Sequence, residues 1–204
     1  MKKMTMENKI KFGLMRYGAD PVIEAYEVKM INNIRSLLIE KKWIGKHPIP
    51  YGNVSIRNKR NEFLITGTQT SEFKYLTNHN VCLVFDYDEQ KNVIHYTGPT
   101  EPSSESISHY AIYTFPEVNA VIHIHSLKAW NNEYADGIFE EVEGEYGSKE
   151  LFRNIKRLKF FNEHIFRMAD HEGGFISFGV DLKSAYNLLT KYVELEERYI
   201  NEIL

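Results

Sequence analysis

A single cysteine, Cys82, leaves this chain of 204 residues without a partner for an internal disulfide. That sets the expectation of a reducing, cytoplasmic setting. Also missing is any apolar run as long as a membrane span, and the start, Met1 to Glu7, has no apolar signal-peptide core. No basic block stands out and the formal net charge is -3, so neither nucleic acid nor membrane is an expected partner. There is no internal repeat, low-complexity tract or linker. What remains is 43% hydrophobic and 26% charged residues, an ordinary balance for a globular protein in water. The length suits one well-buried domain and is short for two.

Residues 1–18 are polar and lysine-rich, which predicts an arm that is mobile or docks on a neighbour, ahead of a single domain over 19–204. Asp20-Pro21 predicts a helix start. Ile23, Tyr26, Met30, Ile34 and Leu37 then form one apolar stripe to about Trp43, and Lys46 to Pro50 breaks the helix. Short alternating runs at 51–57, 62–66, 81–86 and 93–96, separated by polar turns, predict antiparallel hairpins. Gly98 to Pro102 is a rigid loop, after which Ser103 or Ser104 caps a helix from about Glu105 to Phe115. Ala120 to His125 reads as a buried strand. Lys128 to Tyr146 is acidic and irregular, which predicts a working or solvated loop. Gly147-Ser148 opens a helix to Leu158. Strands at 165–169 and 175–179 flank the turn Asp170 to Gly174. Asp181 caps a last helix with Ala185, Leu188, Leu189, Tyr192 and Leu195 inward. The economical fold is one α/β domain with a largely antiparallel sheet.

Chemistry concentrates in Pro102-Ser103-Ser104-Glu105 and in His123-Ile124-His125. Residues i and i+2 of a strand share a face, so both imidazoles project together from an apolar support, as two nitrogen ligands of one metal ion do. His171, in a glycine-rich turn, is the candidate third ligand, and His164 competes with it. Glu105 falls at the first turn of its helix, where the dipole favours a carboxylate; it is the candidate acid or base. His109, four residues on, shares that helix face as a packing or supporting group. Ser103 and Ser104 with the free N–H groups of the turn form a candidate anion site.

Gly52-Asn53-Val54-Ser55-Ile56-Arg57, Leu64-Ile65-Thr66, Pro102-Ser103-Ser104-Glu105 and Ala120-Val121-Ile122-His123-Ile124-His125-Ser126 together resemble the class II aldolase/adducin family. Tyr146 to Leu151, the turn at His171, and Gly179-Val180-Asp181-Leu182 continue the resemblance in the same order, over about residues 20–200. The resemblance implies a three-layer α/β/α fold with a central antiparallel sheet, usually assembled as a homotetramer. It implies a divalent metal, zinc first among the options, on His123, His125 and His171, with Glu105 as the catalytic acid/base. Asn53, Ser55, Thr68, Ser103 and Ser104 would surround the phosphate of a small sugar phosphate. The implied activity is a metal-dependent lyase that cleaves a carbon–carbon bond of a sugar or sugar phosphate through a stabilised enediolate. Epimerisation, dehydration and a non-catalytic adducin-like binding module are the alternatives. The chain departs from the family pattern at Gln69, where glycine is usual, and at Glu172, an extra acid beside His171. Glu133 and Tyr134 are further candidate proton donors.

Overall fold

The computed structural model describes residues 11–46, 50–59, 61–131, 139–159 and 163–194. Glu133, Tyr134, Leu195 and the first ten residues of the expected arm lie outside that set. In chain order the elements are β1 (Gly13–Arg16), α1 (Ala25–Glu40), β2 (Gly45–Lys46), β3 (Pro50–Tyr51), β4 (Asn53–Lys59), β5 (Glu62–Thr66), β6 (Val81–Asp88) and β7 (Val93–Thr97). There follow α2 (Ser106–Tyr113), β8 (Ala120–His125), α3 (Leu127–Trp130), β9 (Glu140–Val142), α4 (Lys149–Ile155), β10 (His164–Met168), β11 (Gly174–Gly179) and α5 (Leu182–Leu188). Among the described residues no helix is long and apolar enough to cross a membrane.

Nine strands form one sheet in the order β1-β7-β6-β5-β4-β8-β11-β10-β9, antiparallel except at its two edges. Both faces are covered. Ile107, Ala111 and Ile112 of α2 and Leu151, Phe152 and Ile155 of α4 pack on one face. Val28, Ile31 and Leu38 of α1 and Ala185 and Leu188 of α5 pack on the other. The result is a three-layer α/β/α domain with a mainly antiparallel central sheet. A strand covered on both sides reads as a continuous apolar run, which is why Ala120 to Ile124 shows no polar alternation apart from its histidine.

Three expectations need correction. The chain is already in the sheet at Gly13–Arg16, paired parallel to β7, with the Gly13 amide donating to the Asn92 carbonyl at 2.9 Å; the arm ends earlier than residue 18. The first helix starts at Ala25 rather than Pro21, because Glu27 turns back to accept the Glu24 amide at 2.9 Å. Its buried face is Val28, Ile31, Arg35 and Leu38, while Tyr26 (62%) and Met30 (42%) of the expected stripe are exposed. Both sets have helical spacing; Arg35 disguised the inner one. Its guanidinium is fully buried and donates to the carbonyls of Thr70 (3.1 Å) and Phe73 (2.6 Å), tying α1 to the loop after β5. Burial lowers its pKa to about 10. Finally, neither Ser103 nor Ser104 is the residue at the start of α2. Glu105 holds that position, and the Ser103 carbonyl accepts from the Ser106 amide and hydroxyl.

Gly52 sets the entry to β4. Its φ is +80°, and a Cβ there would meet Ile44 Cγ2 at 2.3 Å and the His123 carbonyl at 3.1 Å. Gly52→Ala is expected to lower stability by about 1–3 kcal/mol through this strained backbone. The check is the urea midpoint, which should fall at unchanged slope; an unshifted midpoint would mean that neither the backbone nor Ile44 resists the added methyl.

Candidate metal centre

His123 sits in the middle of the sheet, opposite Asn53 of β4 on one side and Ile176 of β11 on the other. It shares its face with Val121, under the α2–α4 layer, whereas Ala120, Ile122 and Ile124 face α1 and α5. His125 ends the strand, and its amide donates to the Trp43 carbonyl at 2.9 Å. His171 comes from the turn between β10 and β11. Register pairs Gly174 with His125, so that turn crosses the end of β8. The Ser126 amide donates to Gly173 at 2.8 Å, and Gly174 donates to the His171 carbonyl at 2.8 Å. Gly173 has φ +80°, and a Cβ there would lie 3.3 Å from His125 Nδ1.

The three rings form a triangle with centroid separations of 5.0, 5.2 and 4.7 Å. One donor atom from each lies within 4.8 Å of the others. With metal–nitrogen bonds of about 2 Å, one divalent ion bridges such donors after small ring rotations. The donor chemistry fits: His123 is 2% exposed and its Nε2 is buried without a hydrogen-bond partner. Burial, reinforced by the neighbouring imidazoles, drives His123 well below the ordinary histidine pKa, and His125 to about 3. Neutral imidazoles with free lone pairs are what a cation requires.

Glu105 completes the cluster. It is 1% exposed, with Oε1 3.1 Å from His171 Nδ1, though not aligned as a hydrogen bond. Ser108, one turn along α2, donates to Oε2 at 2.8 Å. Tyrosine rings flank the two outer imidazoles: Tyr51 lies 5.2 Å from His125, and Tyr146 lies 5.2 Å from His171.

The family model for the class II aldolase and adducin N-terminal domain matches residues 37–200. The chain belongs to this family. YgbL from Klebsiella pneumoniae, provisionally assigned to aldolase, epimerase or decarboxylase chemistry, superposes with a TM-score of 0.61 at 18% identity, over 90% of this chain and 92% of that one. L-fuculose-1-phosphate aldolase from Thermus thermophilus gives 0.60 at 16% identity, over 88% and 95%. L-fuculose 1-phosphate aldolase from Glaciozyma antarctica gives 0.55 at 13%, over 87% and 77%. At such identities the likeness is one of fold.

Within the family fold, the expected site residues separate into two groups. Glu105, His123, His125 and His171 converge, and Asn53 and Ser103 adjoin them: Asn53 Nδ2 donates to Ser103 Oγ at 2.9 Å and lies 3.2 Å from His123 Nδ1. Ser104 is half-buried beside them. Thr68 is half-buried, with its amide donating to the Glu101 carbonyl at 2.9 Å, so the 66–70 loop runs along the 100–102 loop. Gln69 takes φ +58° with its side chain exposed. Ser55 has other partners: its fully buried hydroxyl lies 2.7 Å from His109 Nδ1 and 2.9 Å from the Tyr113 hydroxyl. His164 pairs with Glu140 at 3.0 Å and is outside the triad. Glu172 is exposed, and its backbone hydrogen-bonds His125. Asp170, its neighbour across His171, instead accepts the Gly144 amide at 2.7 Å. Ser108 and Tyr51 were not anticipated, and Tyr146 entered only within the family resemblance; Ser108 left a signal in its i+3 spacing from Glu105.

His123→Ala is expected to abolish stoichiometric metal uptake, measured by elemental analysis after dialysis; retained metal would remove that residue from the centre. Stability should also respond to acid. His109, fully buried, is pushed down to about 3, as is His125, both by burial first. Unfolding restores values near 6.5. Between about pH 6.5 and 3 the unfolded chain therefore takes up protons that the folded chain refuses, and stability falls as the pH falls. The slope is about 1.4 kcal/mol per pH unit for each such histidine. Urea midpoints of chelator-treated protein should drop from pH 7 to 5, less steeply in His109→Gln; parallel profiles would overturn the assignment for His109.

Proposed function

We propose that this protein is a metal-dependent lyase that cleaves a carbon–carbon bond of a small sugar or sugar phosphate by retro-aldol chemistry. The observation that carries the reading is the position of Glu105: a buried carboxylate at the start of α2, 3.1 Å from one imidazole of a three-histidine cluster. A scaffolding module of the same fold has no use for that arrangement.

Three imidazoles beside a carboxylate suit zinc, and His123, His125 and His171 would hold it. When bound, the cation supplies a fixed positive charge that stabilises negative charge developing on substrate oxygens. Glu105 Oε1 takes up and returns the proton that the bond cleavage transfers. Ser108 keeps Oε2 engaged, so the carboxylate presents one oxygen in one direction. Burial of His123 and Glu105 keeps bulk water from competing at those atoms. Ser103, Ser104 and the Thr68 loop lie on the side of α2's positive end and form the rim for an anionic or hydroxyl-rich substrate. Exposed Val22, Tyr26 and Met30, at and before the outer face of α1, support assembly into a homo-oligomer, for which we take the tetramer. A cytoplasmic setting is the companion proposal, supported by the lone buried thiol of Cys82.

Zinc-loaded protein should cleave at least one member of a panel of ketose phosphates and free ketoses. Glu105→Gln should retain the metal and lose about 10²- to 10⁴-fold in kcat. Unchanged turnover in that variant would assign the proton transfer to another group; absence of cleavage across the panel would sink the lyase reading.

A further inference from the structure

Two adjoining side chains of this site each bury a polar atom that has no partner. Asn53 is 4% exposed, and its side-chain Oδ1 is buried with nothing to accept from. His123 Nε2 is buried with nothing to bond. Between them, Asn53 Nδ2 lies 3.2 Å from His123 Nδ1 and donates to Ser103 Oγ at 2.9 Å.

A neutral imidazole carries its proton on one nitrogen only. An amide nitrogen facing Nδ1 demands the lone pair there and sends the proton to Nε2, where nothing accepts it. An amide oxygen facing Nδ1 reverses both ends: Nδ1–H donates to the oxygen, and Nε2 turns its lone pair toward His125 and His171. The two ends of a terminal amide have the same shape, so a half-turn about Cβ–Cγ exchanges them, and moves Nδ2 to the buried position where Oδ1 now has no partner. Ser103 tolerates either orientation, because its hydroxyl both donates and accepts.

We infer that Asn53 is the positioning residue that sets the tautomer of His123. Its carbonyl accepts from Nδ1–H and so reserves Nε2 for a cation, while Ser103 locks the amide by donating to the same oxygen. The inference rests on His123 being a metal ligand, as proposed above. It differs from the direct substrate-phosphate contact that family resemblance suggests for Asn53. The Ser103–Asn53–His123 chain would make the turn before α2 part of the support for the metal. A histidine ligand that donates its second nitrogen to a fixed acceptor is the usual device for holding ring orientation.

The test uses the full chain labelled with ¹⁵N-histidine, together with zinc competition against a chromophoric chelator. In metal-free wild type the His123 ring should show the Nδ1–H tautomer. Asn53→Ala should lose that preference and bind zinc about 10- to 100-fold more weakly; Asn53→Asp, which restores an acceptor, should recover both. A His123 ring protonated at Nε2 in the wild type, or undiminished zinc affinity in Asn53→Ala, overturns the inference. Should Asn53→Ala fail to fold, the wild-type tautomer alone decides. If the wild type shows Nδ1–H but takes up no zinc, the metal reading falls, and with it the reservation of Nε2 for a cation; only the tautomer assignment to Asn53 stands. If zinc binds while Nε2 carries the proton in the metal-free form, the inference falls and the metal reading stands.

Discussion

Burying His123 is the constraint to which the rest of the site answers. A polar side chain taken out of water without a partner costs about 1–3 kcal/mol, and this one lies mid-sheet, with strands on both sides and α2 above. The fold has two ways to meet that cost at once. It keeps the ring neutral, and it surrounds the ring with other groups that need the same missing partner. His125, His171 and Glu105 all converge on the same few ångströms. A cation is the one species that satisfies three lone pairs together, so the orphaned atoms read as a stored affinity for metal.

The supports of the three imidazoles differ in kind. His123 has a side-chain amide from the adjacent strand. His125 has a backbone contact from Glu172 and the ring of Tyr51. His171 has the Glu105 carboxylate and the ring of Tyr146. The imidazole nearest Glu105 sits on a turn. That turn is itself braced: Asp170 accepts the Gly144 amide, and Lys11 lies over the Tyr146 ring at 4.2 Å while pairing with Glu145 at 3.0 Å. Gly147, with φ +73°, lets Phe12 approach where a Cβ would stand 3.1 Å away. The first described residues of the chain thus hold the loop that holds the third imidazole.

How much of this was legible before the structure depends on whether the signal was local. The strand from Ala120 to His125 was, because apolar continuity and an i, i+2 pair are both read within six residues. So was the Glu105 position, fixed by the proline-rich entry to α2, and the Asp181 cap, where the carboxylate accepts the Ser184 amide at 2.7 Å. The inner face of α1 was hidden because its key member is an arginine bonded to carbonyls some 35 residues away, which no periodicity reports. The surroundings of Ser55 were hidden for a related reason. Alternation puts it on the same face as Asn53, but only tertiary packing brings His109 and Tyr113 over it. Strand β1 escaped notice because four residues of an edge strand, mostly exposed, carry no apolar pattern.

The centre draws on residues 51–53, 103–108, 123–125, 146 and 171, which come from β3, β4, α2, β8, a loop and the last hairpin. The three imidazoles come from β8 and the adjoining β10–β11 hairpin, and Asn53 and Glu105 join them from β4 and the start of α2. An ion that binds this arrangement and not the open chain stabilises the entire domain by mass action, about 2.7 kcal/mol at a hundredfold excess over the dissociation constant. The same coupling explains why a fold can tolerate buried unpartnered nitrogen and oxygen at its centre. Their cost is charged to the metal-free state, in which the protein has no work to do, and is returned when the ligand that they specify arrives.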